Sequence, residues 1–147
     1  MERFTRVLTA VVVAAVIVSI VHYVDNTVRY DQFVSDNPNA VARLISRPLI
    51  PLGWVAFTAV LVWAVRQYRA RRYERAALGF AAYSGSGLVG LLHFTDVPPS
   101  HFDAFQLTHI IADIVLGLAI LVCAAWLALN AERLRQRPSG SAPTPET

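Results

Sequence analysis

The sequence has no lysine, a single cysteine and few charged residues. Charged residues make up 16% of its 147 residues, whereas hydrophobic residues make up 55%. The lone Cys123 excludes an intrachain disulfide and any metal motif built on several cysteines. The mean hydropathy of +0.46 exceeds what one soluble core of this size requires. The surplus of apolar side chains must therefore face lipid.

Four apolar runs are long enough to cross a bilayer, whose core of about 30 Å takes roughly 17 to 25 helical residues. The runs cover residues 7–24, 49–65, 76–94 and 107–130. We predict an all-α integral membrane four-helix bundle over residues 1–137 and a disordered tail at 138–147, which is rich in Pro, Ser, Gly and Thr. Since no small-x-small cleavage site follows the first run, we expect it to be kept and not removed as a signal peptide.

The basic residues predict the orientation of the spans. All 13 are arginines, and ten of them precede run one, follow run four, or join runs two and three in RQYRARRYER (residues 66–75). The other three, Arg29, Arg43 and Arg47, lie between runs one and two, where three aspartates balance their charge. Short loops rich in arginine remain cytoplasmic, so both termini should be cytoplasmic in a multi-pass protein of the plasma (inner) membrane. Contact with the lipid bilayer explains the basic charge, and nucleic acid is not an expected partner. In the first extracytoplasmic loop we expect a short interfacial helix at residues 40–46, with Asn39 as its N-cap.

Run three contains GSGLVG (residues 85–90), which matches the dinucleotide-binding pattern G-x-G-x-x-G. That function requires a preceding strand and a helix that begins at the glycines. Here the glycines lie inside an apolar span, so we reject a nucleotide site. Instead, Ala82, Ser86 and Gly90 recur every four residues and predict a stripe of small side chains for close helix packing.

Histidines and aspartates concentrate at the extracytoplasmic ends of three spans. The pairs are His22 with Asp25, His93 with Asp96, and His109 with Asp113. Spacings of three or four residues place both members of a pair on one helix face. Asp113 lies within the hydrocarbon boundary, where an ionised carboxylate costs about 2.5–3.5 kcal/mol. It therefore needs either a partner or a raised pKa. The candidate partners are Thr108 and His109 in its own helix and His22 and His93 across the bundle. Run two has no ionisable residue and is predicted to be a packing helix that faces lipid on one side.

Three spans that end at one depth can bring their imidazoles to a common point, which predicts a site for a divalent metal such as zinc or iron. The predicted ligands are His22, His93, His109 and Asp113. Asp25 and Asp96 are then candidate catalytic bases for metal-assisted hydrolysis or oxidation of a lipophilic substrate. Haem b held by two of the histidines is a weaker interpretation, because it leaves the aspartates unexplained. The sequence leaves open whether the protein is an enzyme.

Two other functions fit the same residues. In the first, the protein is a non-catalytic membrane subunit or assembly factor whose polar cluster holds the bundle together or docks a membrane-protein partner. In the second, the histidines and aspartates form a half-channel for protons or metal ions. The cytoplasmic halves of the spans, such as AVVVAAVIV in run one, offer no polar side chains to extend such a pathway.

Overall fold

A computed structural model describes residues 1–34, 43 and 45–136, and these residues form helices and connections without a strand. The α-helices are α1 (Glu2–Val28), α2 (Leu49–Arg69), α3 (Tyr73–Leu88), α4 (His93–Asp96) and α5 (Ala104–Gln136). Short 3-10 segments occur at Tyr30–Gln32, Val89–Leu92 and Pro99–His101. Most of the predicted interfacial helix at residues 40–46, the whole tail at 138–147 and the side chain of Asp96 lie outside the described residues.

Four helical segments are long and apolar enough to cross a membrane, namely Glu2–Val28, Leu49–Arg69, Tyr73–Thr95 and Ala104–Gln136. The predicted all-helical, four-span organisation is therefore confirmed. The helices are longer than the apolar runs that predicted them, because charged residues such as Arg133 and Arg135 continue the last turns of α5. The third span is not one α-helix. The 3-10 segment Val89–Leu92 separates α3 from α4, follows Gly85 and Gly87, and contains Gly90.

The four spans form a closed ring of neighbours. Helix α1 packs against α2 and α5, and α3 also packs against α2 and α5, so α1 and α3 lie diagonally across the bundle. The connection between α2 and α3 is very short, and Arg71 in it adopts a left-handed backbone conformation with φ of 57°. This tight turn makes α2 and α3 antiparallel neighbours.

Helices α3 and α5 approach most closely where Gly87 faces Gly117. A Cβ atom on Gly87 would lie 3.2 Å from the Cα of Gly117 and would overlap the backbone oxygen of Asp113. The predicted stripe of small residues is therefore only partly right. Ser86 and Gly90 are buried, but Ala82 is exposed, and Gly87 makes the tightest contact.

Buried apolar side chains form two clusters that lie at different levels of the bundle. The larger one includes Leu61, Phe80 and Leu127 and fills the half of the bundle near the arginine-rich connection. The smaller one consists of Phe33, Val97, Phe102 and Ile110 at the opposite end. We call this second end the cluster end, because the histidines and aspartates of the spans lie beside it.

Candidate functional site

The buried face of α1 changes from apolar to polar as the helix approaches the cluster end. Its last buried residues are His22, Asp25 and Asn26, with 3%, 9% and 6% of their surface exposed. On α5, His109 and Asp113 lie one helical turn apart on the buried face. His93 begins α4, directly after the 3-10 segment. The polar cluster comprises these six residues: His22, Asp25, Asn26, His93, His109 and Asp113.

The imidazoles of three helices are brought together in the polar cluster, with His22 between the other two. Its ring centroid lies 5.4 Å from that of His93 and 5.2 Å from that of His109. The Nε2 atoms of His22 and His93 are 3.4 Å apart. The amide nitrogen of Asn26 lies 3.1 Å from Nε2 of His93. Two imidazoles and one amide therefore converge on one small region.

Asp113 lies on the other side of the His22 ring. One oxygen of its carboxylate is 3.7 Å from Nδ1 of His22, and both side chains are almost fully buried. Neither of these two atoms has a hydrogen-bond partner among the described residues. The carboxylate that the sequence required to have a partner thus faces a histidine of α1, across the bundle.

A chain of polar contacts leads from His109 of the polar cluster through Asp25 and Arg29 to Asp103. We call it the ion-pair chain. Nε2 of His109 lies 3.1 Å from one carboxylate oxygen of Asp25. Arg29 donates from Nε to the other oxygen at 2.6 Å. The same guanidinium donates from Nη1 to Asp103 at 2.8 Å. The chain therefore runs from the buried imidazole to the exposed N-terminus of α5.

Asp103 caps α5. Its carboxylate accepts the backbone N–H of Gln106 at 2.8 Å, and the side-chain oxygen of Gln106 accepts the N–H of Asp103 at 3.0 Å. This reciprocal pair satisfies two donors at the start of the helix. The pKa of Asp103 is lowered, first because of the hydrogen bond from Gln106 and also because Arg29 donates to it. The pKa of Arg29 is raised, mainly because Asp25 accepts its N–H groups.

Compared with the sequence prediction, the structure brings together His22, His93, His109 and Asp113, the four predicted ligands, and also Asp25. The contacts between histidine and carboxylate join different helices, His109 to Asp25 and His22 to Asp113. Among the described residues, no three His, Cys, Asp or Glu side chains are arranged to hold a metal ion. The predicted base Asp25 already contacts His109 with one carboxylate oxygen and Arg29 with the other. The other, Asp96, lies at the end of α4.

Sequence reasoning assigned no role to Asn26, Arg29 or Gln106. A signal for the first two was present, because Asn26 and Arg29 follow His22 by four and seven residues and so share its helix face. Gln106 follows Asp103 by three residues, which is the spacing of a capping box.

Comparison of the chain with protein-family models, with curated proteins and with solved structures finds no match. The hydropathy and length of the helices define the class, a multi-pass helical membrane protein. Any function must therefore be argued from the polar cluster and its surroundings.

Proposed function

We propose that this protein binds one divalent metal ion, zinc or iron, through Nε2 of His22 and His93, at the extracytoplasmic side of the plasma (inner) membrane. The observation that carries the proposal is the separation of 3.4 Å between the two Nε2 atoms. Two nitrogen ligands at 2.0–2.1 Å from a tetrahedral ion lie about 3.4 Å apart. The side of the membrane is inferred from the arginines, because ten of the 13 flank the opposite end of the bundle.

Asp113 supports the proposal from behind His22. A metal-bound imidazole carries its proton on the nitrogen that is not a ligand and usually donates it to a carboxylate or a carbonyl group. Nδ1 of His22 faces the carboxylate of Asp113 at 3.7 Å. A small approach of the two groups makes this hydrogen bond, which fixes the tautomer that leaves Nε2 free to bind a metal.

Asn26 supplies a third ligand. Its amide oxygen is buried and has no hydrogen-bond partner among the described residues. Rotation of the amide by half a turn exchanges its oxygen and nitrogen and places the oxygen beside Nε2 of His93, where the nitrogen now lies at 3.1 Å. The proposed ligands are thus two imidazoles and one amide. His109 is left out, because its Nε2 atom pairs with Asp25.

Haem b fits the same pair of histidines less well. To be held between them, the porphyrin would have to pass between two rings whose Nε2 atoms lie 3.4 Å apart. A single small ion needs no such separation of the helices.

The metal content of the detergent-purified protein tests the proposal. After loading with Zn²⁺ and removal of excess ion, we expect about one equivalent of zinc per chain, measured by elemental analysis. His22→Gln and His93→Gln each remove one nitrogen ligand and should lose most of that zinc. Asp113→Asn should weaken zinc binding about 10- to 100-fold, which is typical when the carboxylate behind a ligating histidine is removed.

Two further histidines provide matched controls with the same substitution. His101 is exposed in the connection before α5, so His101→Gln should keep its zinc. His109→Gln should also keep its zinc, although it removes the contact with Asp25. A wild-type protein that binds no zinc after loading, or His22→Gln and His93→Gln variants with unchanged zinc, would refute the metal centre.

A second function has its own support, which is the chain from His109 through Asp25 and Arg29 to Asp103. These contacts tie the end of α1 to the start of α5, and the contact between Asp25 and His109 is buried. Polar contacts between membrane helices contribute about 0.6 kcal/mol each on average. A non-catalytic subunit or assembly factor would use the whole cluster in this way. In that case His22→Gln and His93→Gln would lower thermal stability, leave metal content unchanged, and weaken the retention of a partner that co-purifies with the wild type.

A further inference from the structure

A cavity of about 430 Å³ lies beside the polar cluster, between α1, α2 and the 3-10 segment that follows α3. Most of its wall is apolar. Leu49, Ile50 and Phe57 of α2 line one side, and Val89 and Leu92 line another. The volume falls within the range of about 300–1000 Å³ that is typical of small-molecule sites. It is too small for a phospholipid with two acyl chains.

One wall of the cavity is polar and belongs to the proposed metal centre. His22, Asn26 and His93 all line it. Tyr30 and Ile45 lie at the cavity as well, and the Tyr30 hydroxyl donates to the backbone oxygen of Ile45 at 2.6 Å, which joins the segment after α1 to the residues before α2. Among the described residues, the lining contains no arginine and no carboxylate. A ligand head at this wall is therefore neutral.

We infer that the cavity binds one lipid-soluble molecule that has an apolar body and a neutral oxygen head, a carbonyl or hydroxyl group. The head lies against His22, Asn26 and His93, where the second N–H of the Asn26 amide, which the contact with His93 leaves over, is a donor. The body lies against α2. This inference goes beyond the proposed metal centre, because the hydrogen bonds to the head require no metal.

The cavity gives α2 a role that its sequence did not indicate. The helix was predicted only to pack and to face lipid, yet four of its residues line the cavity: Leu49, Ile50, Gly53 and Phe57. A Cβ atom added to Gly53 would meet nothing within 4 Å. Gly53 thus leaves open space at the wall, and a large side chain at this position occupies room that the ligand body needs without displacing backbone.

The test uses 2-decyl-1,4-benzoquinone as the probe, because it combines an apolar chain with neutral carbonyl oxygens. Binding to the detergent-purified protein is measured by isothermal titration calorimetry in the presence of EDTA. We expect one site per chain. We expect Gly53→Phe to weaken binding at least about tenfold, because the phenylalanine ring occupies space that the decyl chain needs. Leu52→Phe is the matched control. Leu52 is 61% exposed and does not line the cavity, so binding should be unchanged.

A second comparison tests the head. Decylbenzene has a similar ring and chain without oxygen, and it should bind at least about tenfold more weakly than the quinone. Equal binding of the quinone by wild type and Gly53→Phe, or equal binding of the quinone and decylbenzene, would overturn the inference. Because EDTA is present throughout, absence of zinc binding in the earlier experiment leaves this result intact, and loss of quinone binding leaves the metal centre intact.

Discussion

The substitution Gly87→Ala tests the closest helix crossing in the protein. The new Cβ would overlap the backbone oxygen of Asp113 and would lie 3.0 Å from its backbone carbon and 3.2 Å from the Cα of Gly117. All three atoms belong to backbone, so no side-chain rotation relieves the contact and α3 must move away from α5. Overpacking of this kind costs about 1–3 kcal/mol. We expect the upper end, about 3 kcal/mol, because the contacts are with backbone alone.

Gly53→Ala is the matched control, since its Cβ meets nothing within 4 Å. Both substitutions gain about 1 kcal/mol of helix propensity, so the difference between the two variants reports the cost of the close contact. The free energy of unfolding can be measured by titration with SDS, followed by far-ultraviolet circular dichroism. Equal stability of Gly87→Ala and Gly53→Ala would show that α3 and α5 do not approach as closely as the structure indicates.

Two further predictions concern the ion-pair chain. Asp25→Ala should destabilise the protein by about 2–4 kcal/mol, because it leaves the buried His109 without its partner; this is somewhat below the range for fully buried pairs, since Arg29 can reach solvent. The control Asp31→Ala should cost less than about 1 kcal/mol, since Asp31 forms an exposed pair. Similar losses of stability in both variants would contradict this reasoning. The lowered pKa of Asp103 means that its ionised form stabilises the fold above the unfolded value of about 3.9, and that this contribution disappears as pH falls through the folded value. The difference in melting temperature between wild type and Asp103→Asn should therefore be present at pH 7 and shrink toward pH 3, whereas a constant difference would show that the charge is not responsible.

The number of spans could be predicted from sequence, because a bilayer imposes one length and one composition on every helix that crosses it. The crowding of histidine and aspartate at one end of the bundle could also be predicted, because these residues lie toward the same end of three of the apolar runs. The partners of these residues could not. His109 pairs with Asp25 across 84 positions of the chain, and which helices are neighbours depends on packing that periodicity does not encode.

Two local features also escaped prediction. The third span changes to a 3-10 helix at Val89–Leu92, although its hydropathy is continuous. The stripe of small residues was assigned to Ala82, Ser86 and Gly90, whereas the tightest contact is made by Gly87. A shift of one residue rotates a helix by about 100°, and several small residues in the same segment leave the choice of face open. The 3-10 segment contributes to the cavity beside α2, since Val89 and Leu92 line it.

The pairing of α1 with α5 has a consequence for how the protein is made. Helix α1, which is synthesised before α5, carries His22, Asp25 and Asn26 on the face that is buried in the finished fold. His109 of α5, which contacts Asp25, lies 84 positions later in the chain and is synthesised after α2 and α3. Until α5 is inserted, His22 and Asp25 lack their contacts with Asp113 and His109. A chain truncated after α3 is therefore expected to be retained poorly in the bilayer and to be degraded quickly.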